Sequence, residues 1–479
     1  MIKKGTIYIY NSLTKKKELF NPIINNYIGM YVCGPTVYNH LHLGNYRTFI
    51  IFDIVFRYFK HLGYKIRYVR NITDVGHLEN EIDYEDKIIK KSRKEGIDPM
   101  EIVNKYTISF HKFLNILNIL SPNIEPTATG HIIEQIEFIK KLITNNYAYE
   151  INGSVYFDLK KYIKKYSYGI LSNNKINKLL YEKENILNKE KRYPYDFCLW
   201  KKASNKHIMK WKSPWNYGFP GWHTECVTMS TKYLGGVFDI HGGGMDLKFP
   251  HHECELAQSN AFYEKISNAR YWMHTNMLTI NGKKMSKSLG NNLSIIDIYN
   301  DYSPNIFKLF ILQHHYRSVI DFSLEKLKET KKGYIKIKNT IELINNFIPT
   351  NNKYFELNFN VYNWINKCYK SINDDFNTPM LISNIFYASN FIKLELYNIN
   401  KVNFFLLKKY INYFIFDILG LSKSELTKNN LEYKKFNILV KKLILFRKEM
   451  RNKKNWIISD RLRKELCNIG VIINDEKFS

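Results

Sequence analysis

Cysteine is scarce and scattered. The six thiols, Cys33, Cys198, Cys226, Cys254, Cys368 and Cys467, include no CxxC pair and no dense framework. That excludes a disulfide-stapled secreted module and favours a reducing compartment. Long apolar runs are missing too: no stretch reaches the roughly 18 residues that a membrane-spanning helix needs. The opening, MIKKGTIYIYN, has neither an extended apolar core nor a small-residue cleavage site, so no secretory leader is expected. These absences together predict a soluble, cytoplasmic protein. Acidic residues are in deficit, with 44 Asp and Glu against 72 Lys and Arg and a formal charge of +28. Such an excess attracts polyanions. The chain is also crowded with Asn, Ile, Lys and Tyr, as an AT-rich genome would produce, so charge alone leaves nucleic-acid binding open.

What is present is enough for large cores. The chain has 479 residues, 45% hydrophobic and 15% aromatic, which suits about three globular domains. Met30 to Cys33 reads as a buried strand ending in Gly34-Pro35. Phe49, Phe52, Phe56, Phe59 and Leu62 recur at helical spacing, with Gly63 placed as a C-cap. Lys65 to Ile72 reads as a second strand. The β-α-β unit predicts a parallel sheet with ligands at the carboxyl ends of its strands. From about Glu79 to Pro194 the pattern is helical and charged, as in an insertion between sheet halves. A second αβ region runs from about Cys198 to Asn292, in which Val237 to Ile240 reads as a strand and His241-Gly242-Gly243-Gly244 as a flexible turn. After about Asp297 the chain turns helical, and Lys441 to Leu466 is basic and amphipathic.

Two constellations suggest nucleotide chemistry. His42-Leu43-Gly44-Asn45 opens a helix just after a strand. A helix N-terminus offers free N–H groups and partial positive charge to phosphate, and a glycine there lets a base approach the backbone. Alone the tetrapeptide is equally well a capping histidine beside a packing glycine. Lys284-Met285-Ser286-Lys287-Ser288, flanked by Gly282 and Gly290, places two cations and two hydroxyls on a loop able to clamp a triphosphate.

These stretches resemble the HIGH and KMSKS signatures of class I aminoacyl-tRNA synthetases. Further text narrows the resemblance to the cysteinyl-tRNA synthetase family: Cys33 to Tyr38 (CGPTVY), Asn71 to Asp74 (NITD), Gly221 to Cys226 (GWHTEC), His241 to Leu247 (HGGGMDL) and Phe249 to Glu253 (FPHHE). Tyr316 to Ser318, Asp321 to Ser323 and Asp374 to Pro379 extend it. It covers about Met30 to Asp475. It implies an α/β, Rossmann-like parallel-sheet catalytic domain over 1–300 with a helical insertion at about 79–195. A helical stem-contact linker at 301–345, a helical tRNA-binding domain at 346–425 and a small anticodon-binding domain at 426–479 would follow.

The resemblance assigns one zinc ion per chain to Cys33, Cys226, His251 and Glu255. Part of that set is legible locally, since His251 and Glu255 are i and i+4 on one helix face and thiolate, imidazole and carboxylate are all zinc ligands. By the same rotation His252 and Cys254 fall off the ligand face. Cys198, Cys368 and Cys467 read as small buried hydrophobes. Serine differs from cysteine by one atom, and an apolar pocket separates near-isosteres by only about 100-fold. Zinc prefers a soft thiolate, so the expectation is that the substrate sulfur adds to the metal.

Trp222 would close over the substrate side chain, or else simply pack in the core. Thr73 and Asp74 would hold the substrate amino group or the adenylate, and Asp246 a ribose hydroxyl. ATP with Mg²⁺ would be held by His42, Gly44, Asn45, Asp246, Lys284, Ser286 and Lys287, of which His42, Asn45, Lys284 and Lys287 would act on the phosphates as catalytic groups. Partners implied are ATP, L-cysteine and tRNA(Cys), with no membrane and a monomeric state.

Two departures stand out. Asn45 occupies the place of the second HIGH histidine, and Lys308 replaces an arginine often found in its helix. Two other readings compete: an amide-forming ligase joining cysteine to an amino sugar, and a zinc-stabilised RNA-binding protein without chemistry. The helical, basic C-terminal part argues against the first, and the KMSKS-like loop with a complete ligand set against the second.

Overall fold

A computed structural model of the chain describes residues 5–76, 86–172, 190–204, 207–284, 298, 301–349, 359–427, 443, 445–447, 449–453 and 455–468. The chain divides into two compact units, Met1–Lys423 and Ser424–Ser479. In the second, described residues include a helix at Trp456–Asn468. Among the described residues no helix is long and apolar enough to cross a membrane.

The centre of the first unit is a four-stranded parallel sheet. Its strands are β1 (Tyr27–Val32), β2 (Lys65–Arg70), β3 (Phe238–Gly244) and β4 (Ala269–Thr275), in the order β4-β3-β1-β2. β1 and β2 are joined by helix α1 (Leu43–Leu62), which ends at Gly63 with φ 96°. The left-handed cap that the phenylalanine spacing predicted is therefore present. α1 is buried on most faces, with Ile50, Phe52, Ile54, Val55 and Tyr58 inaccessible. A helix apolar all round belongs inside a domain. β3 returns on the opposite side of β1 from β2. Strand order reverses there, so a crevice opens at the carboxyl ends of β1 and β3.

The four residues His241 to Gly244 are strand, not a flexible turn. Their hydrogen bonds run to both neighbours: Gly242 sits opposite Val32 and Met273. The glycines serve close approach. A Cβ on Gly242 would lie 2.1 Å from the Phe52 ring of α1, so only glycine lets helix and sheet meet here.

The insertion also differs from its helical pattern. It contains helices Lys87–Glu95, Pro99–Ile116 and Ile132–Thr144, and then a five-stranded antiparallel sheet built from Ala148–Ile151, Ser154–Phe157, Phe197–Lys202, Tyr217–Pro220 and Trp211–Lys212. Cys198 lies in this sheet rather than in the parallel one. Strands of two to six residues carrying Lys and Glu give little alternation to read. Helix α2 (Trp222–Leu234) follows directly. Next come β3, helix α3 (Glu253–Tyr263), β4, and helix α4 (Pro304–Leu312). Longer helices, Leu324–Asn346, Val361–Asn373, Thr378–Glu395 and Lys401–Asn412, complete the unit. Two of the motifs meet here: Asp375 accepts from Tyr316 Oη at 2.6 Å and Arg317 Nε at 2.7 Å.

Arg47, in the first turns of α1, fixes the pocket floor. Its guanidinium is buried and donates to five carbonyls, those of Asn276, Met277, His315, Tyr316 and Ser318, at 2.5–3.2 Å. Burial lowers its pKa to about 10, so it remains ionised at neutral pH. Arg47→Ala is expected to destabilise the protein by roughly 3 kcal/mol or more, because several buried acceptors lose a charged donor together. A urea midpoint equal to wild type would contradict this.

Candidate active site and metal centre

A pocket of about 540 Å³ opens at the strand carboxyl ends, lined by Cys33, His42, Gly44, Asn45, Trp222 and Asp246 among others. The sequence explains each placement. Cys33 follows the last residue of β1, and its N–H donates to Gly242 O at 3.0 Å. His42 caps α1, and its backbone N donates to Asn45 Oδ1 at 3.2 Å. Asn45 thus replaces a histidine with a side chain that also closes the first turn. Asp246 lies in a short turn after β3, and Trp222 opens α2. Met277 and Leu278, beside the carbonyls gripped by Arg47, form part of the opposite wall.

Lys284 pairs through its backbone with Thr279 in a hairpin whose turn residues Asn281 and Gly282 have positive φ. Asp321 Oδ1 accepts from Gly282 N and Thr279 Oγ1, both at 2.8 Å, and so pins the hairpin. The Lys284 side chain, Ser286 and Lys287 lie outside the described residues.

Thr73 and Asp74 stand behind the pocket wall rather than on it. Thr73 pairs with the CGPTVY loop through its backbone, donating to Pro35 O and accepting from Val37 N. The Asp74 carboxylate is taken up by Thr129 N and Thr129 Oγ1. A proline and a valine on the loop leave the backbone as its hydrogen-bonding surface, and the backbone of Thr73 serves it there.

At the inner end of the pocket four donors converge. Cys33 Sγ lies 3.8 Å from Cys226 Sγ and 3.6 Å from Glu255 Oε1, and His251 Nε2 lies 3.0 Å from Glu255 Oε1. All four residues are buried, and their ligand atoms lie within 4.8 Å of one another. The thiols are free, not a disulfide. His251 Nε2 and Glu255 Oε2 are buried without a hydrogen-bond partner. Buried donors of mixed N, O and S type at these spacings, the imidazole nitrogen and one carboxylate oxygen among them orphaned, fit a tetrahedral cation such as zinc. The Trp222 ring packs at a 34° tilt against His251, centroids 4.3 Å apart, so the aromatic wall and the donor set are one structure. Behind the ligand, His251 Nδ1 meets His223 Nδ1 at 2.9 Å.

Burial pushes the Cys33 thiol and the Glu255 carboxyl well above their usual ranges. For Cys226 burial acts upward, but the hydrogen bond from Cys33 and the nearby His251 prevail and bring it down to about 7.

Cys254 points away, within 3.4 Å of Tyr168 Oη and packed into the insertion core, and burial raises its thiol. His252 does not point away. Its Nε2 is 3.3 Å from Cys33 Sγ and 3.9 Å from Glu255 Oε1, because His252 and Glu255 are i and i+3, which also share a helix face, and the extended backbone of Phe249 kinks the turn that leads into α3. His241, too, was not singled out as a donor, yet Nε2 is 3.6 Å from Cys33 Sγ. Only its register opposite Tyr31 could have revealed this. Glu225, between Thr224 and Cys226, is fully buried with neither oxygen hydrogen-bonded, and burial, with Cys226 and Asp74 near, raises its pKa strongly.

The sequence profile described as "tRNA synthetases class I (C) catalytic domain" matches residues 19–332. A "Cysteine--tRNA ligase" of Azobacteroides pseudotrichonymphae is 47% identical over 99% of this chain and 98% of its own length. A "Cysteine--tRNA ligase" of Bacteroides thetaiotaomicron is 47% identical over 98% and 97%. Among solved structures, the Mycobacterium tuberculosis methionyl-tRNA synthetase in complex with methionyl-adenylate superposes with a TM-score of 0.60. It covers 84% of this chain and 93% of that one at 11% identity, a likeness of fold. With a catalytic profile spanning the parallel sheet and its insertion, and relatives aligned almost end to end, the chain belongs to the class I aminoacyl-tRNA synthetases, in the cysteine–tRNA ligase family.

Proposed function

We propose that this protein activates L-cysteine with ATP and transfers it to the terminal adenosine of tRNA(Cys). The observation that supports the reading most directly is the convergence of Cys226, His251 and Glu255 on Cys33, which itself lines a pocket whose other wall is the N-terminus of α1. Zinc held by these four residues would supply a soft centre that prefers thiolate sulfur to a hydroxyl. Trp222 covers the same end of the pocket and excludes water from the bound side chain. The cysteine carboxylate then lies toward His42 and the first N–H groups of α1, where the α-phosphate of ATP binds. The carboxylate attacks that phosphorus in line and pyrophosphate leaves, with His42, Asn45, Lys284 and Lys287 positioning and neutralising the phosphates. Mg²⁺ would accompany the nucleotide. Asp246 accepts from a ribose hydroxyl, Gly44 lets the base lie flat, and Ser286 donates to phosphate. Thr73 holds the CGPTVY loop through its backbone, Asp74 ties the strand end to Thr129, and both stand near enough to the loop to serve the substrate amino group or the adenylate as the resemblance implies. In the second step the 2′-hydroxyl of the tRNA attacks the adenylate carbonyl, the mixed-anhydride C–O bond breaks and AMP leaves with its electron pair.

The charge of +28 suits a polyanionic partner. The domain roles read from sequence, a stem-contact linker at 301–345, tRNA binding at 346–425 and anticodon binding at 426–479, remain part of this proposal, as do a cytoplasmic location and a monomeric state. The amino-sugar ligase reading lacks support, since relatives matched at 97–98% of their own length are tRNA ligases.

The test is cysteine-dependent pyrophosphate exchange with serine as competitor, with and without a zinc chelator, followed by tRNA charging. Exchange that is insensitive to chelation, or equal for serine, would refute the metal reading. Lys287→Ala should lower the exchange rate by about 10²–10³-fold, as loss of one phosphate donor does, with little change in cysteine affinity. Metal uptake should also depend on pH. Both thiols must be thiolates to bind, and burial holds the Cys33 thiol well above its usual range while Cys226 is brought down, so affinity of the apoprotein falls as pH drops from 8 to 6 and uptake releases protons. Zinc titrations at pH 6 and 8 with equal affinity would contradict this.

A further inference from the structure

The Asp321-Phe322-Ser323 stretch does not line the pocket, but it stands against the hairpin that carries Lys284. Three short strands, β5 (Leu278–Ile280), β6 (Lys283–Lys284) and β7 (Ile320–Phe322), form one sheet in the order β6-β5-β7. β6 pairs antiparallel with β5, and β7 pairs parallel with it, so Thr279 lies opposite both Lys284 and Asp321. Leu278, the first residue of β5, lines the pocket. A two-stranded hairpin is marginal in water by itself, and one whose second arm has two residues needs outside anchors to fix its direction.

Two anchors are present. At the pocket end, Arg47 of α1 donates to the carbonyls of Asn276 and Met277, just before β5, and to those of His315, Tyr316 and Ser318, just before β7. At the far end the anchor is Asp321. Its Oδ1 accepts from Thr279 Oγ1 on β5 and from Gly282 N in the turn, both at 2.8 Å. One carboxylate thus ties the turn to the strand that leads into it. The carboxylate is itself held in place. Lys326 Nζ, in the first turn of the helix Leu324–Asn346, donates to Asp321 O at 2.8 Å and lies 3.8 Å from Oδ2. The bonds from Gly282 and Thr279 keep the Asp321 carboxyl below the usual carboxylate range, so it is ionised at neutral pH and both bonds are charge-assisted.

We propose that Asp321 is a positioning residue for adenylate formation: it fixes the angle at which the β5-β6 hairpin leaves the pocket wall, and with it the place of the Lys284 backbone relative to the N-terminus of α1. The inference rests on the function proposed above and adds to it a residue that touches no substrate. Arg47 and Asp321 are the two ends of one bracket. α1 brings His42 and Asn45, the hairpin brings Lys284, and the triphosphate has to meet both at once. A misplacement of about 1 Å at such a point costs up to ~10²-fold in rate. Cysteine is bound at the other end of the pocket, by the donor quartet and Trp222, and does not depend on the hairpin.

The experiment is pyrophosphate exchange by the full-length, zinc-loaded chain, with ATP and cysteine varied separately. Asp321→Ala is expected to lower kcat/KM for ATP by about 10–100-fold and to leave the KM for cysteine within about twofold. Asp321→Asn keeps an oxygen acceptor for Gly282 and Thr279 and should recover most of the loss. Because Asp321 acts through the hairpin, adding Asp321→Ala to Lys284→Ala should cost far less than adding it to wild type, a coupling that a purely structural role does not produce. Four results overturn the role: exchange by Asp321→Ala equal to wild type, a loss carried by the cysteine KM, an Asp321→Asn variant as impaired as Asp321→Ala, or losses that multiply in the double variant. A wild type without cysteine-dependent exchange defeats the proposed function instead.

Discussion

Replacing Cys33 by serine is expected to abolish metal binding and to lower cysteine activation by on the order of 10³-fold or more. Cys33 is one of the two thiols of the donor quartet, and it sits where β1 ends, at the junction of pocket and metal centre. A hydroxyl is a poor ligand where a soft thiolate is required. Loss of a metal's charge stabilisation removes several kcal/mol, and each 1.36 kcal/mol is tenfold in rate. Selectivity against serine should fall in parallel, toward the ~100-fold or less that shape alone provides between near-isosteres. Measuring metal content and pyrophosphate exchange with both amino acids separates these effects. Wild-type metal content together with unchanged exchange would exclude Cys33 from the site.

The second large effect lies away from the chemistry. Asp53, on α1, is completely buried between two cations: Oδ2 accepts from Arg57 Nε at 2.8 Å and from Lys308 Nζ at 2.9 Å. Lys308 also donates to the carbonyls of Leu117, Asn118 and Gly420. It therefore ties α1 and α4 to the insertion and to the end of the helical region. Asp53→Asn leaves both cations without their counter-ion, and removing one partner of a buried charged group typically costs about 3–5 kcal/mol. Lys308→Met should be milder, since Asp53 keeps Arg57. Urea unfolding would rank the two. An Asp53→Asn midpoint equal to wild type would show that water reaches the cluster and screens it. The lysine in place of an arginine is accommodated because a single ammonium, with three donors on a flexible stem, can serve a carboxylate and several carbonyls at once.

Periodicity made the β1-α1-β2 unit legible, because a twenty-residue helix with phenylalanine at regular spacing and a glycine cap carries two independent signals. The five-stranded sheet of the insertion was not legible. Its strands are short, and residues such as Lys201, Lys202 and Lys212 interrupt any alternation. The triple glycine misled for a related reason. Glycine marks turns through its freedom, but here it marks a close approach of Phe52 to β3, which depends on a helix nearly two hundred residues earlier.

Among site residues, the pairing of His251 with Glu255 followed from helix geometry alone, and so did the exclusion of Cys254. His252 was excluded wrongly, since it is i to Glu255 at i+3 and shares its face, and the chain kinks at Phe249 just before it. His241 required the pairing of β3 with β1.

The sequence by itself determined the family, through long motifs in order, and the local elements that each motif occupies. It also determined the presence of two thiols, an imidazole and a carboxylate of the right chemical kind. Only the tertiary structure decided that Cys33 and Cys226, 193 residues apart, lie 3.8 Å from each other, and that two more histidines face the same sulfur. Local sequence sets dihedral angles and faces within one element. Distances between elements are set by sheet order and by the packing of α1 and α2 across it, and those depend on every buried side chain at once.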